Sequence, residues 1–138
     1  MKTNAFIITV ILHVLIVSCT KWGSRENSRL IGLAQELIEV NPDSALKLLD
    51  GVNTVRFSKA ERAEYILLRV QAKENAGMDL STDTEIFAAQ KYFISKDDPE
   101  KAALACFYAG VVLQAQEAEA EAIEYYLKAN DFAQNTNN

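Results

Sequence analysis

The chain has 138 residues, room for one domain, and carries 19 acidic against 14 basic side chains for a net charge of −5. That acidity argues against nucleic acid as a ligand, because nucleic acids select basic surfaces. One histidine, His13, and two cysteines, Cys19 and Cys106, are all the strong soft-metal and redox ligands available.

The N-terminus reads Met1-Lys2-Thr3-Asn4, followed by an apolar run from Ala5 to Val17 broken only by Thr9 and His13. A helix of that length covers about 20 Å, short of the roughly 30 Å hydrocarbon core of a bilayer. A short basic start and a short apolar stretch with small residues at its end describe a secretory signal better than a transmembrane span. Leu15-Ile16-Val17-Ser18-Cys19 resembles the lipobox of bacterial lipoproteins: aliphatic residues, a small residue, then cysteine. The resemblance implies a diacylglycerol on the Cys19 sulfur and cleavage that frees an amine for a further acyl chain. One acyl chain holds a protein marginally, and two or more hold it durably. The alternatives are an uncleaved anchor helix, or a start codon further along with Cys19 an ordinary thiol.

Cleavage removes residues 1–18, leaves 120, and takes away one lysine and no acid, moving the net charge from −5 to −6. His13 leaves as well, so the remaining chain has no histidine for a triad, a His-ligated zinc site or a general base. With Cys19 acylated, Cys106 has no partner and no disulfide framework exists. Cys106 then reads as a small buried helix residue.

Residues 19–27 are polar and aperiodic and read as a tether, with Trp22 either in the headgroup layer or against the first helix. The helical domain is expected over 28–134 and a disordered tail over 135–138. Leu30, Leu33, Ala34, Leu37 and Ile38 fall on one helix face. Asn41-Pro42 stops that helix and opens a second as cap and first residue, with Ala45, Leu48 and Leu49 its apolar stripe and Gly51 its close. Ser58-Lys59-Ala60-Glu61 is a capping-box pattern opening a long helix that runs to Gly77, and Thr82-Asp83-Thr84-Glu85 is a second such pattern opening a helix with Ile86, Ala89 and Phe93. Asp98-Pro99-Glu100 starts a fifth helix, and a sixth runs from near Ala118 to Gln134. No segment alternates with period two. The expected fold is all-α.

Six helices in sequence suggest three antiparallel hairpins, so an internal repeat is sought. From Ala103 to Gln134 the small and large residues Gly110, Leu113, Ala122, Tyr126 and Ala129 stand where a tetratricopeptide repeat requires them. The turn is unusual: Glu117-Ala118-Glu119 consists of helix formers, and propensity alone allows one helix from Pro99 to Gln134. Phase decides otherwise. Cys106, Gly110 and Leu113 share a face, while Ala122, Tyr126 and Ala129 centre about 160° away. A turn near 116–118 folds both stripes into one seam.

Together with the lipobox, Asp43-Ser44-Ala45-Leu46-Lys47-Leu48-Leu49-Asp50, Glu61-Arg62-Ala63-Glu64-Tyr65-Ile66-Leu67-Leu68 and Tyr125-Tyr126-Leu127-Lys128-Ala129 make the chain similar to tetratricopeptide-repeat lipoproteins of the Bacteroides type. The loop from Gly77 to Ser81 is longer than that motif permits. The resemblance implies three hairpins stacked as a short right-handed solenoid, anchored on the periplasmic side of the inner or outer membrane. It implies binding of a protein or peptide, with no catalysis, metal or cofactor. Repeat packing falls to Cys106, Gly110, Leu113, Ala122, Tyr126 and Ala129. A peptide groove falls to Arg69 and Lys73 in the middle hairpin and Phe107, Val111 and Gln114 in the last. The alternative is the sensory N-terminal part of a tetratricopeptide-containing signalling or transcriptional regulator, with its output domain on another stretch of sequence. The last helix keeps Ile123, Tyr125, Leu127 and Phe132 beyond its seam, so apolar side chains are expected on more than one of its sides. Asp79, Asp83 and Glu85 lack calcium-loop spacing, and Glu117, Glu119, Glu121 and Glu124 read as a solvated face.

Replacing Cys19 with alanine is expected to move the chain from the membrane fraction to the soluble one, measured by fractionation and immunoblot; retention in the membrane at full yield would remove lipidation from this reading.

Overall fold

A computed structural model describes residues 25–135. Among these residues there are six helices and no strand. The first, α1, covers 25–37; the others are α2 (Pro42–Asp50), α3 (Lys59–Asn75), α4 (Ile86–Ser95), α5 (Pro99–Ala115) and α6 (Glu119–Asn135). The signal expected at 1–18, the expected lipid site Cys19, Trp22 and residues 136–138 lie outside the described residues. Helix α1 already includes 25–27, three residues ahead of the domain start read from the sequence. Asn27 explains why: its side-chain amide donates to the Asn53 carbonyl at 2.8 Å and its side-chain oxygen accepts from the Asn53 N–H at 3.1 Å. That pair ties the first turn of α1 to the α2–α3 loop.

Three helix starts form as their sequences direct. The Asn41 side chain accepts from the Ser44 N–H at 3.1 Å with Pro42 in the first turn of α2. Ser58 and Glu61 make the reciprocal capping box of α3, and the Ser58 N–H bond holds the Glu61 carboxyl below its ordinary pKa. Asp98 caps α5 through the Lys101 N–H at 3.1 Å. The capping box expected at Thr82–Glu85 does not form. Glu85 precedes α4 with helical backbone angles (φ −60°, ψ −21°), α4 begins at Ile86, and no side chain caps it. Tertiary contacts hold this loop instead: Leu80 is 2% exposed, Asp79 turns onto the Ser81 N–H, and Lys73 pairs with Asp83.

Three helix ends share one device. After α3, α4 and α5 the chain enters the left-handed region at Gly77 (φ 67°), Asp97 (φ 54°) and Glu117 (φ 60°). In each case the next N–H reaches back to a carbonyl of the last turn, from Met78 to Lys73, Asp98 to Phe93 and Ala118 to Leu113. The N–H of the left-handed residue itself bonds Glu74, Ile94 or Gln114. These are Schellman closures. Only Gly77 is a residue that adopts this conformation without steric cost.

Helix α3 is buried on two sides. Ala63, Ile66, Leu67 and Val70 join α4 and α5 in one core with Leu80, Ile86, Ala89, Phe93, Ala102, Ala105, Ala109 and Val112. Ala72, with Tyr65 and Leu68, joins α1 and α2 in a second core around Ala34, Ile38, Ala45 and Leu49. Helix α5 packs on α6, on α4 and, over a smaller area, on α3. The seam between α5 and α6 closes at Gly110. A Cβ built there stands 2.6 Å and 2.8 Å from ring carbons of Tyr126. That ring is fixed by its hydroxyl donating to Gln114 at 2.8 Å and by Phe107 at 5.7 Å between centroids. Cys106, Ala122 and Ala129 are buried in the same hairpin, and Leu113 is half-buried.

Gly110→Ala therefore sets two effects against each other. Helix propensity favours alanine by about 1 kcal/mol, while overpacking a filled seam costs about 1–3 kcal/mol. The clash should win, with a net loss of up to about 2 kcal/mol in urea unfolding. In a Tyr126→Ala background the same change should turn neutral or stabilising; equal losses in both backgrounds would show that the ring is not the obstacle.

Candidate functional site: a cleft between α1, α3 and α5

The first helices of the three hairpins converge on a cleft of about 430 Å³. Helix α1 contributes Ile31, Gln35 and Ile38, α3 contributes Glu64, Leu67, Leu68 and Gln71, and α5 contributes Glu100, Lys101 and Leu104. On each helix these positions recur at three- and four-residue intervals, so each presents one stripe to the cleft. The floor is apolar, with Ile38 and Leu67 nearly covered and Leu104 40% exposed. The rim is polar. Gln71 donates to Glu39 at 3.2 Å. Lys101 pairs with Glu64 at 2.5 Å, stands 4.0 Å from Asp98 and lies over the Phe93 ring. The Glu64 hydrogen bond holds the Lys101 ammonium above its ordinary pKa.

None of the five groove residues read from the sequence is among the residues that line this cleft. Arg69 and Lys73 stand about 140–180° around α3 from Glu64, at about 100° per residue. Arg69 lies 3.4 Å from Asp50 at the end of α2, with its Nε buried and without a hydrogen-bond partner. Lys73 forms a largely covered pair with Asp83, at 14% and 15% side-chain exposure. Both cations fasten neighbouring elements. Ala72, beside Lys73, is fully buried against α1 and α2. Phe107 and Val111 continue the Leu104 row along α5. Phe107 is 45% exposed and Val111 packs partly on the core. Gln114 accepts the Tyr126 hydroxyl. Sequence reading named none of the ten lining residues as groove residues. Leu104 was within reach, because it lies one turn before Phe107 on the same face of α5.

Elsewhere the polar groups are engaged in structure. Cys106 is buried, accepts from Gln90 at 3.7 Å, and its thiol is pushed up in pKa by burial. Asp79 and Asp83 are turned onto Ser81 and Lys73. Among the described residues no group of three or more His, Cys, Asp or Glu side chains is placed to hold a metal ion, and no helix is long and apolar enough to cross a membrane. On α6, Tyr125 and Phe132 turn inward onto the larger core, with Tyr125 edge-on to Phe87 at 5.7 Å between centroids. Ile123 and Leu127 stay 59% and 60% exposed. Comparison of the chain with known proteins finds no matching family model, no matching curated protein and no matching solved structure.

Tyr108 reports on the far end of this region. It is 7% exposed and its hydroxyl is pushed up to about 12, first by burial and then by the Glu39 and Glu74 carboxylates. An unfolded tyrosine ionises near 10. The stability that neutral Tyr108 contributes is thus complete below about pH 10 and is lost as pH rises through about 12, at most about 2–3 kcal/mol. Melting temperatures measured between pH 9 and 12 should fall less steeply for Tyr108→Phe than for the parent; parallel curves would show that Tyr108 ionises as freely folded as unfolded.

Proposed function

We propose that this chain is a lipid-tethered adaptor of the tetratricopeptide-like kind, which holds a segment of a partner protein in the α1–α3–α5 cleft and carries out no catalysis. The observation behind the reading is the cleft itself. Its volume falls within the range of about 300–1,000 Å³ typical of ligand pockets, enough for a few side chains of a peptide. An apolar floor with a polar rim is the composition by which helix grooves take apolar anchors. The hairpin order supports the same reading, since α5 lies against both α3 and α4 as successive repeats would. A second reading, the sensory end of a regulator, draws support from Ile123 and Leu127, exposed apolar side chains on α6 that a further hairpin would cover.

The test is site-specific photo-cross-linking of the full chain in the cells that make it. A photoreactive residue at Leu104 should yield a discrete cross-linked polypeptide, and the same residue at Glu124, on the charged side of α6, should not. Equal yields from both positions, or none from either, would overturn the proposal.

A further inference from the structure

The cleft has a strong charge asymmetry that the apolar floor alone does not explain. Glu64 and Glu100 stand at one end with Lys101. Glu39 reaches the other end through Gln71. Glu74 lies one turn beyond Gln71 on the α3 face, and its charge is felt by both Tyr108 and Tyr126 across on α5 and α6. Two carboxylates, Glu64 and Glu100, thus line the cleft and two more, Glu39 and Glu74, lie beyond Gln71, against one lining cation that is itself bound to Glu64. Among the described residues Lys101 alone of the lysines and arginines lines it. Arg69 and Lys73, the nearest candidates on α3, are turned to the opposite side and held by Asp50 and Asp83.

We propose that the cleft selects a cationic amphipathic polypeptide segment, with apolar side chains seated between Ile38, Leu67, Leu68 and Leu104 and with lysine or arginine at both ends. This rests on the cleft being the binding site proposed above. The two acidic ends, near Glu64 and Glu74, lie ten residues and about 15 Å apart along α3. An extended segment covers about 3.3 Å per residue, so the cations stand about four to five residues apart. Charge complementarity of this kind favours approach of the correct partner and rejects acidic ones.

The full chain in detergent micelles is titrated by fluorescence anisotropy with three pools of synthetic ten-residue peptides. The pools share one apolar centre and differ in their flanks: lysine and arginine, glutamate and aspartate, or serine and glutamine. The cationic pool should bind about tenfold or more tighter than the acidic pool, and the gap should narrow as salt rises from about 0.05 to about 0.5 M. Glu39→Lys with Glu100→Lys, both on exposed side chains, should erase the preference while leaving helicity unchanged, and Leu104→Asp should abolish binding of every pool. Equal binding of all three pools, lost in Leu104→Asp, would overturn the charge selection and leave the cleft reading standing. A cationic preference untouched by either variant would place binding elsewhere on the acidic surface and overturn the inference. No binding by any pool would overturn both.

Discussion

Everything in this fold leans on α3, a helix that must bury two faces at once. Its Ala63–Ile66–Leu67–Val70 side packs against α4 and α5, and its Tyr65–Leu68–Ala72 side packs against α1 and α2. A surface helix keeps one broad polar side for solvent. Helix α3 leaves little, and spends it on ties: Arg62 to the Thr54 carbonyl, Gln71 to Glu39, Asn75 to the Ile38 carbonyl. Each fully buried Ile, Leu or Val is worth about 1.5–3 kcal/mol, so the two cores stand or fall with this helix. Small residues make the double contact possible. Ala63 and Ala72 on α3, Ala34 and Ala45 before it, and Ala102, Ala105 and Ala109 after it are all buried. Such residues let helix axes approach closely.

The cleft follows from the same constraint. With α2 and α4 covering one side of the stack, α1, α3 and α5 line the other, and the spacing that α3 imposes leaves a channel between α1 and α5. What lines the channel is decided by the phase of α3. The strip between the two core faces carries Glu64 and Gln71, with Leu68 at its edge, and turns Arg69 and Lys73 away. The fate of Lys73 fits its surroundings. An exposed ion pair contributes about 0–1 kcal/mol, whereas the largely covered Lys73–Asp83 pair holds a loop whose helix start has no side-chain cap. Lys101, by contrast, stays at the cleft mouth with 41% side-chain exposure.

The turn between α5 and α6 shows how tertiary packing overrides local preference. Gln116, Glu117, Ala118 and Glu119 all favour helix, and an uninterrupted helix would avoid the left-handed Glu117, which costs about 1–2 kcal/mol. Against that stands the burial of two apolar stripes, Cys106–Gly110–Leu113 and Ala122–Tyr126–Ala129, which a straight helix would point to opposite sides. Closing the seam buries Cys106, Ala122 and Ala129 and covers part of Leu113 and Tyr126, and at about 25 cal/mol per Å² of apolar surface their sum outweighs one strained residue. The Ala118-to-Leu113 hydrogen bond then closes the helix end without glycine. Asp97 is the same solution after α4.

The sequence by itself determined the helices, most of their caps and the seam of the last hairpin, because these depend on period, on capping side chains and on small residues at close range. Asn41, Ser58 and Asp98 cap where they stand, and Gly110 meets Tyr126 as the phase of α5 and α6 requires. The anchor expected at Cys19 rests on local residues alone, and they lie outside the described structure. The tertiary structure decided what depends on neighbours distant in the chain. It made the Gly77–Glu85 loop hold through Lys73 and Leu80 in place of a capping box. It turned Tyr125 and Phe132 inward while leaving Ile123 and Leu127 outside. It also chose which stripe of α3 faces the cleft. A helix with apolar residues on two sides has no single face in sequence, so only its packing partners could decide which residues are left to meet a ligand.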